Sequence, residues 1–472
     1  MSGPGRRVRS VLRLPAQRGK RIAVLVAVLL FVASVGAGGA LGAAALGRSE
    51  LVVVATVPPP SPLLPQPVLR PADGYGPAPT DAGVVAVLDP LVAQGGLGTL
   101  SGQVVDSVTG QVLWQRDAAN PLVPGSTVKL LTASAALLAL DHHASLRTRV
   151  LAGVEPGTVV LVGGGDPTLS AAARTVYPGA ARLDDLVAQV KATAAGPVRR
   201  VLVDFDRYSG DVLAPGWTSG DVAEGFVAPI SAVMLDGGRA DPQLAVSPRT
   251  ETPAMAAAAE LARRLGADAD AVGLGSALPG AAVLGEVASP PVQELVALVL
   301  STSDNVLAEA LAREVAKAKG VEPSFSGASR AVLQVLGEHG FDIGNVTLVD
   351  GSGLSIQDTV PAKLLTELLG AAAAPSSSPH YAPALRPLLV GLPVAGGSGT
   401  LADRYESSAT GGKGWVRAKT GTLTGVNSLA GTVLDAEGRV LVFALLSNGA
   451  APAAVRPRLD ALAAALRTCG CR

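Results

Sequence analysis

The pattern of apolar and polar positions changes character several times along this chain. Residues 22–47 carry no charge. Their first half, IAVLVAVLLFVASV, is strongly apolar, and the second half is rich in Gly and Ala. A run of about 20 apolar residues spans a bilayer as a helix. Nine prolines then fall between Pro58 and Pro79, a composition that favours extended segments and cannot build a core. Folded structure is expected from near Val84. GQVVDSVTGQVLWQRDA alternates as two strands joined at Val108-Thr109-Gly110. STVKLLTASAALLAL repeats its apolar positions at helical spacing, with Ser126 at its start.

Residues 143–285 alternate strand-like runs (TVVLVGGG, VRRVLVDF) with helical ones (ARLDDLVAQVKA, PAMAAAAELARRLG). A structureless loop of that length is uncommon, so a compact α/β insertion is expected. PPVQELVALVLSTSDNVLAEALAREVAKAKG predicts one helix or two, and 327–340 and 360–373 predict helices. The chain returns to strands in GWVRAKTGTL, VNSLAGTVLD and RVLVFALLS and closes on the helix APAAVRPRLDALAAALR. No internal repeat is evident. The expected divisions are a basic segment 1–21, an apolar segment 22–47, a Pro-rich linker 48–84, a first part of the main domain 85–142, an insertion 143–285, and the second part 286–472.

At 472 residues the chain exceeds one ordinary core. Aromatic residues are scarce, so the core must be aliphatic. Formal net charge is zero, yet residues 1–21 hold seven basic side chains and no acid. The remainder is mildly acidic, which argues against nucleic acid as a partner. Basic residues before an apolar run keep the N-terminus in the cytoplasm. An uncleaved single-pass signal-anchor is the favoured reading, and a signal peptide cleaved near Ala43–Ala45 is the alternative. Both place the body of the protein outside the cytoplasm. The only cysteines, Cys469 and Cys471, are expected in a loose tail; the alternative is an extracytoplasmic disulfide, which a one-residue spacer would strain, and two cysteines alone make a poor metal site.

Three short motifs carry the candidate chemistry. Ser126 and Lys129 stand three apart at a helix start and so face the same way. A serine hydroxyl needs a base within hydrogen-bond reach, and a desolvated or crowded lysine can become one. Of eight lysines, Lys129 alone has a serine three positions before it. Ser303-Asp304-Asn305 interrupts an apolar helical run, and Ser and Asn are poor mid-helix residues. It is the only Ser-x-Asn in the chain. Ser303 is suited to relay a proton, and Asn305 to orient Lys129 and bind a substrate amide. Lys419-Thr420-Gly421 lies on a predicted strand. A cation and a hydroxyl there can hold a carboxylate, and Gly421 leaves room for backbone to approach. Each motif alone is weak; all three in this order, with a domain's worth of chain between them, form the penicilloyl-serine transferase signature.

With these motifs the chain resembles the D-alanyl-D-alanine carboxypeptidase/endopeptidases of the class C low-molecular-mass penicillin-binding proteins. The likeness includes PLVPGSTVKLLTA, GGGDPTL, SDNVLAEAL, DGSGLS, LPVAGGSGTLADR and AKTGTLTGVNSLAG, and covers roughly residues 85–467. It implies a penicillin-binding transpeptidase/β-lactamase-like α/β fold: a five-stranded antiparallel sheet flanked by helices, with an inserted domain. It implies Ser126 as acylated nucleophile, Lys129 as general base and Ser303 in the relay. Asn305, Lys419, Thr420, Gly421 and Thr422 would bind substrate, the N–H groups of Ser126 and Thr422 forming the oxyanion hole. The implied partners are peptidoglycan stem peptides and acylating β-lactams; no metal or organic cofactor is implied. The chain departs from the family in a shorter insertion, and in Ile356-Gln357 after DGSGLS, where a basic residue is common.

Rival chemistries fit less well. The deacylating Glu-x-x-Leu-Asn string of class A β-lactamases is absent. His142, His143, His339 and His380 sit in no triad context, and there is no Gly-x-Ser-x-Gly elbow.

Overall fold

The computed structural model describes residues 76–268 and 270–469. The expected basic segment 1–21, the apolar segment 22–47 and the linker through residue 75 lie outside the described residues. Among the described residues no helix is long and apolar enough to cross a membrane. Among the described residues, regular structure begins at the helix Asp81–Ala93, capped by Thr80, whose hydroxyl accepts from Gly83 N–H at 3.1 Å. That start falls inside the segment expected to be linker, because Thr80-Asp81 is a helix-start signal that the surrounding prolines mask.

Five antiparallel strands form the central sheet, in the order Val416–Leu423, Val426–Leu434, Val440–Asn448, Thr99–Asp106, Val112–Arg116. The N-terminal hairpin thus adds to the last strand of the C-terminal meander, and Thr99 pairs with Asn448. The two inner strands of the meander are buried on both faces; Val440–Asn448 is accordingly a nearly continuous apolar run, while Val426–Leu434 also buries Asn427, Ser428 and Thr432. One face is covered by Asp81–Ala93 and the C-terminal helix Pro452–Thr468. The other carries a larger aliphatic core with the helices Val128–Ala139, Val292–Thr302, Asn305–Ala318, Phe325–Glu338 and Ala362–Ala373. Cys469, expected in a loose tail, is instead buried in the first of these cores and disulfide-bonded. The terminal helix carries it inward, which its place near the end of the sequence does not reveal.

The insertion is built on its own mixed sheet, ordered Val272–Leu274, Arg200–Asp204, Thr158–Val162, Ser145–Ala152, Val283–Pro291. Its first three strands run parallel and therefore need crossovers. The helices Leu183–Thr193 and Pro253–Leu265 lie in those connections and bury their apolar stripes on the sheet. A long excursion after Arg200–Asp204 forms a separate small core of Tyr208, Trp217, Val227, Ile230 and Met234 against Val306 and Phe325. Trp217 meets Phe325 edge-on at 5.2 Å. This segment therefore rests on the helices that follow the Ser303 motif.

Candidate active site

Ser126 lies in a single 3-10 turn, Gly125–Thr127, that feeds the helix Val128–Ala139. The tighter turn still puts Lys129 beside it: Lys129 Nζ donates to Ser126 Oγ at 3.0 Å. The same amine donates to Asn305 Oδ1 and, at 2.6 Å, to the Ser352 carbonyl. All three ammonium donors are thereby used. Lys129 is fully buried. Burial draws its amine down to about 8, against the opposing pull of the Asp350, Glu309, Asp304 and Asp358 carboxylates. The amine is thus poised to lose its proton near neutral pH.

The expected interruption at Ser303 is a true helix break. The helix Val292–Thr302 ends at Ser303, whose φ of 61° is left-handed, and Asp304 caps the next helix through Leu307 N–H at 2.9 Å. The break places Ser303 and Asn305 on the cleft from two different helices. Ser303 Oγ accepts from Lys419 Nζ at 2.9 Å. Asn305 reaches Lys129 with its oxygen, while its nitrogen donates to the Phe226 carbonyl at 3.0 Å.

Lys419 is fully buried on the outermost strand of the central sheet. Its second partner is the Thr420 carbonyl at 2.7 Å. Burial, and then the nearby Lys129 cation, push its amine well below the usual lysine range. Thr420 Oγ1 is 2.8 Å from Thr400 Oγ1. A Cβ on Gly421 would stand 2.1 Å from Ser428 Oγ, 2.4 Å from the Pro124 carbonyl and 3.1 Å from Ser126 N, so only glycine lets this strand meet the Ser126 turn.

The edge itself is open where it matters. Val416 O and Ala418 N bond outward to Ala395 and Pro393. Every second residue of an antiparallel strand points its backbone groups to the same edge, so those of Thr420 and Thr422 point to the same free edge as those of Val416 and Ala418. There the Thr422 N–H faces the Ser126 turn, since a Cβ on Gly125 would lie 3.2 Å from Thr422 N.

The structure therefore gathers Ser126, Lys129, Ser303, Asn305, Lys419, Thr420, Gly421 and Thr422 around one cleft. Sequence reasoning assigned no role to three groups found beside them. The Ser352 carbonyl is one. Asp350 is another; it accepts from the N–H groups of Ser352, Gly353 and Ser355 and from Trp217 Nε1. The third is the Phe226 carbonyl. Two are backbone acceptors with no side-chain signature; DGSGLS was visible as a string but not as a turn wrapped on its own aspartate. Ile356, the departure after that string, is exposed. Among the described residues no group of three or more His, Cys, Asp or Glu is placed to hold a metal.

Comparison with known proteins places the chain in a family. A carboxypeptidase DacB of Mycolicibacterium smegmatis is 46% identical over 462 residues, covering 96% of this chain and 98% of that protein. A D-alanyl-D-alanine carboxypeptidase of Actinomadura sp. is 31% identical over 91% of each chain. The crystal structure of penicillin-binding protein 4 from Haemophilus influenzae superposes with a TM-score of 0.64 at 21% identity, covering 81% of this chain and 97% of that one. It shares the fold. The model of the D-Ala-D-Ala carboxypeptidase 3 (S13) family matches residues 84–248 and 241–469, and the chain belongs to that family.

Proposed function

We propose that this protein is a serine-type D-alanyl-D-alanine carboxypeptidase/endopeptidase that cleaves peptidoglycan stem peptides through an acyl-enzyme on Ser126. The observation that carries the reading is the buried Lys129 amine, 3.0 Å from Ser126 Oγ and lowered to about 8. Neutral Lys129 takes the Ser126 proton as Oγ bonds to the carbonyl carbon of the D-alanyl–D-amino-acid link. The oxyanion that forms is held by the Ser126 and Thr422 N–H groups; such a donor is worth about 3–4 kcal/mol in the transition state. As the C–N bond breaks, a proton passes from Lys129 to the departing nitrogen with Ser303 as relay. Ser303 Oγ accepts from Lys419, so its own proton is available to the leaving group. Water then attacks the ester with Lys129 again as base, releasing the shortened peptide and restoring the Ser126 hydroxyl.

Lys419 and Thr420 clamp the terminal carboxylate, and the free edge at Thr420 and Thr422 accepts the peptide as an added strand. A penicillin presents a carboxylate and a strained amide to the same groups and acylates Ser126. The Haemophilus protein is known in complex with a β-lactam, which supports this extension. The apolar segment 22–47, preceded by seven basic residues, supports a catalytic body held outside the cytoplasm on a membrane anchor.

The test is mass spectrometry of the full-length protein after exposure to penicillin, with D-alanine release from a D-Ala-D-Ala-terminated stem peptide measured in parallel. One adduct on the peptide containing Ser126, and loss of both signals in Ser126→Ala, are expected. An adduct on another residue, or D-alanine release that survives Ser126→Ala, overturns the reading.

A further inference from the structure

The inserted segment touches the second motif at Asp304 and at Asn305, and these contacts give the insertion a part in the chemistry. Ser303 bears a side chain in the left-handed region, with φ of 61°. Such a conformation persists only where the surroundings over-determine it. Its neighbour Asp304 is buried, and its carboxylate takes donors from two directions. Oδ1 accepts from Leu307 N–H, while Oδ2 accepts from Tyr177 OH at 2.8 Å and Arg239 Nη2 at 2.8 Å. Arg239 Nη1 also donates to Tyr177 OH at 2.6 Å, and its guanidinium lies 4.9 Å from the Tyr177 ring centroid. Tyr177 and Arg239 both belong to the insertion.

This clamp is itself held. Arg239 donates to the carbonyls of Asp236 and Ala245 at 3.1 and 3.2 Å. Gly237, with φ of 63°, leaves it room, since a Cβ there would stand 2.4 Å from Tyr177 OH. Burial alone would push the Asp304 carboxyl up, but Arg239 and Arg249 hold it well below the usual carboxylate range. On the other side, the Phe226 carbonyl of the insertion accepts from Asn305 Nδ2. An amide whose nitrogen is fixed on a carbonyl must present its oxygen the other way, and here that oxygen meets Lys129.

We infer that Tyr177 and Arg239 are positioning residues: by clamping Asp304 from the insertion they hold Ser303 toward Lys419 and Asn305 toward Lys129, so that the insertion sets the geometry of acyl transfer. The inference rests on the acyl-transfer reading of Ser126. It also explains why a motif residue that points away from the cleft is an aspartate. One charged oxygen holds the arginine and its tyrosine together, and the other caps the following helix.

The test uses the full-length protein and a fluorescent penicillin, reading the saturating acylation rate constant, the non-covalent dissociation constant and the thermal midpoint. Small misplacements of catalytic groups cost roughly a hundredfold in rate. Arg239→Gln is expected to lower the saturating rate by about that factor, with little change in the dissociation constant, at a temperature where the variant is fully folded. Adding Asp304→Asn removes the stranded charge and is expected to restore much of the thermal midpoint and part of the rate. Tyr177→Phe strands no charge; it is expected to lower the rate several-fold with a thermal midpoint near wild type, and carries the test should Arg239→Gln not fold. Folded variants that acylate as fast as wild type overturn the clamp alone. A wild type with no Ser126 adduct overturns the acyl-transfer reading and the clamp with it.

Discussion

Changing the pH probes the base directly, because only neutral Lys129 can take the Ser126 proton. Its amine is buried and drawn down to about 8. The neutral fraction is therefore about one in a hundred at pH 6, about one in ten at pH 7 and about half at pH 8. Acylation at low penicillin concentration should climb by nearly tenfold per unit between pH 6 and 7.5 and bend toward a plateau between pH 8 and 9. The sign is that of a base: lowering the pH charges the amine and stops the reaction. Glu309, whose carboxyl burial and Asp350 push up to about 7, gains its negative charge in the same window. That charge favours the Lys129 ammonium, so the observed limb should be slightly shallower than a single titration. Stopped-flow acylation with a fluorescent penicillin, from pH 5.5 to 9.5, resolves the bend. Lys129→Arg serves as the control, being charged at every pH in that range; it should lose at least about a hundredfold in rate with no recovery at pH 9.5. A rate that is flat between pH 6 and 8, or that still climbs about tenfold per unit up to pH 9.5 as an ordinary lysine would dictate, refutes Lys129 as the base.

Three further outcomes follow from the same geometry. Gly421→Ala drives a Cβ into Ser428 Oγ and the Pro124 carbonyl; it should cost about 1–3 kcal/mol of stability and nearly abolish penicillin labelling, measured by thermal denaturation and gel fluorescence, and wild-type labelling would contradict the placement. Ser303→Gly and Ser303→Ala both remove the relay hydroxyl, but only glycine relieves the φ of 61°; both should acylate slowly, with the glycine variant about 1–2 kcal/mol more stable in denaturant titration. Lys419→Met removes a buried amine, so its thermal midpoint should equal or exceed that of wild type, while KM for a stem peptide with a free carboxylate rises steeply; an unchanged KM would remove Lys419 from the clamp.

Much of the catalytic cleft was legible in the sequence because its parts are side chains in short strings. Ser126 and Lys129 are local, so their meeting needs only one turn of helix. The break at Ser303 was legible as a conflict, three polar residues inside an apolar helical run. The strand Val440–Asn448 was legible as well, since burial on both faces makes it a nearly continuous apolar run. The helix Asp81–Ala93 was not, because its start signal is embedded among prolines. The carbonyls of Ser352 and Phe226 were invisible, as every residue but its conformation offers the same acceptor. Asp304 shows the middle case. Its identity was plain and its place in the motif was plain, but its partners Tyr177 and Arg239 lie 127 and 65 positions away, and no local pattern specifies contacts at that range.

The two lysines of the cleft are matched to opposite tasks by where the acidic side chains lie. Both amines are fully buried and both are lowered. Behind Lys129 stand Asp350, Glu309, Asp304 and Asp358, whose fields oppose burial and leave its amine near neutrality rather than far below it. Around Lys419, burial and the Lys129 cation both disfavour its charge. Its hydrogen-bond partners, Ser303 Oγ and the Thr420 carbonyl, are neutral, and among the described residues it forms no ion pair. An arriving carboxylate would supply the missing counter-charge and pull the Lys419 amine back up. An anionic chain end therefore favours the charged amine, while a neutral end gains nothing from the same pocket. Paired with that carboxylate, the Lys419 charge adds little net positive field at Lys129, whose amine can remain neutral at the moment Ser126 must be deprotonated.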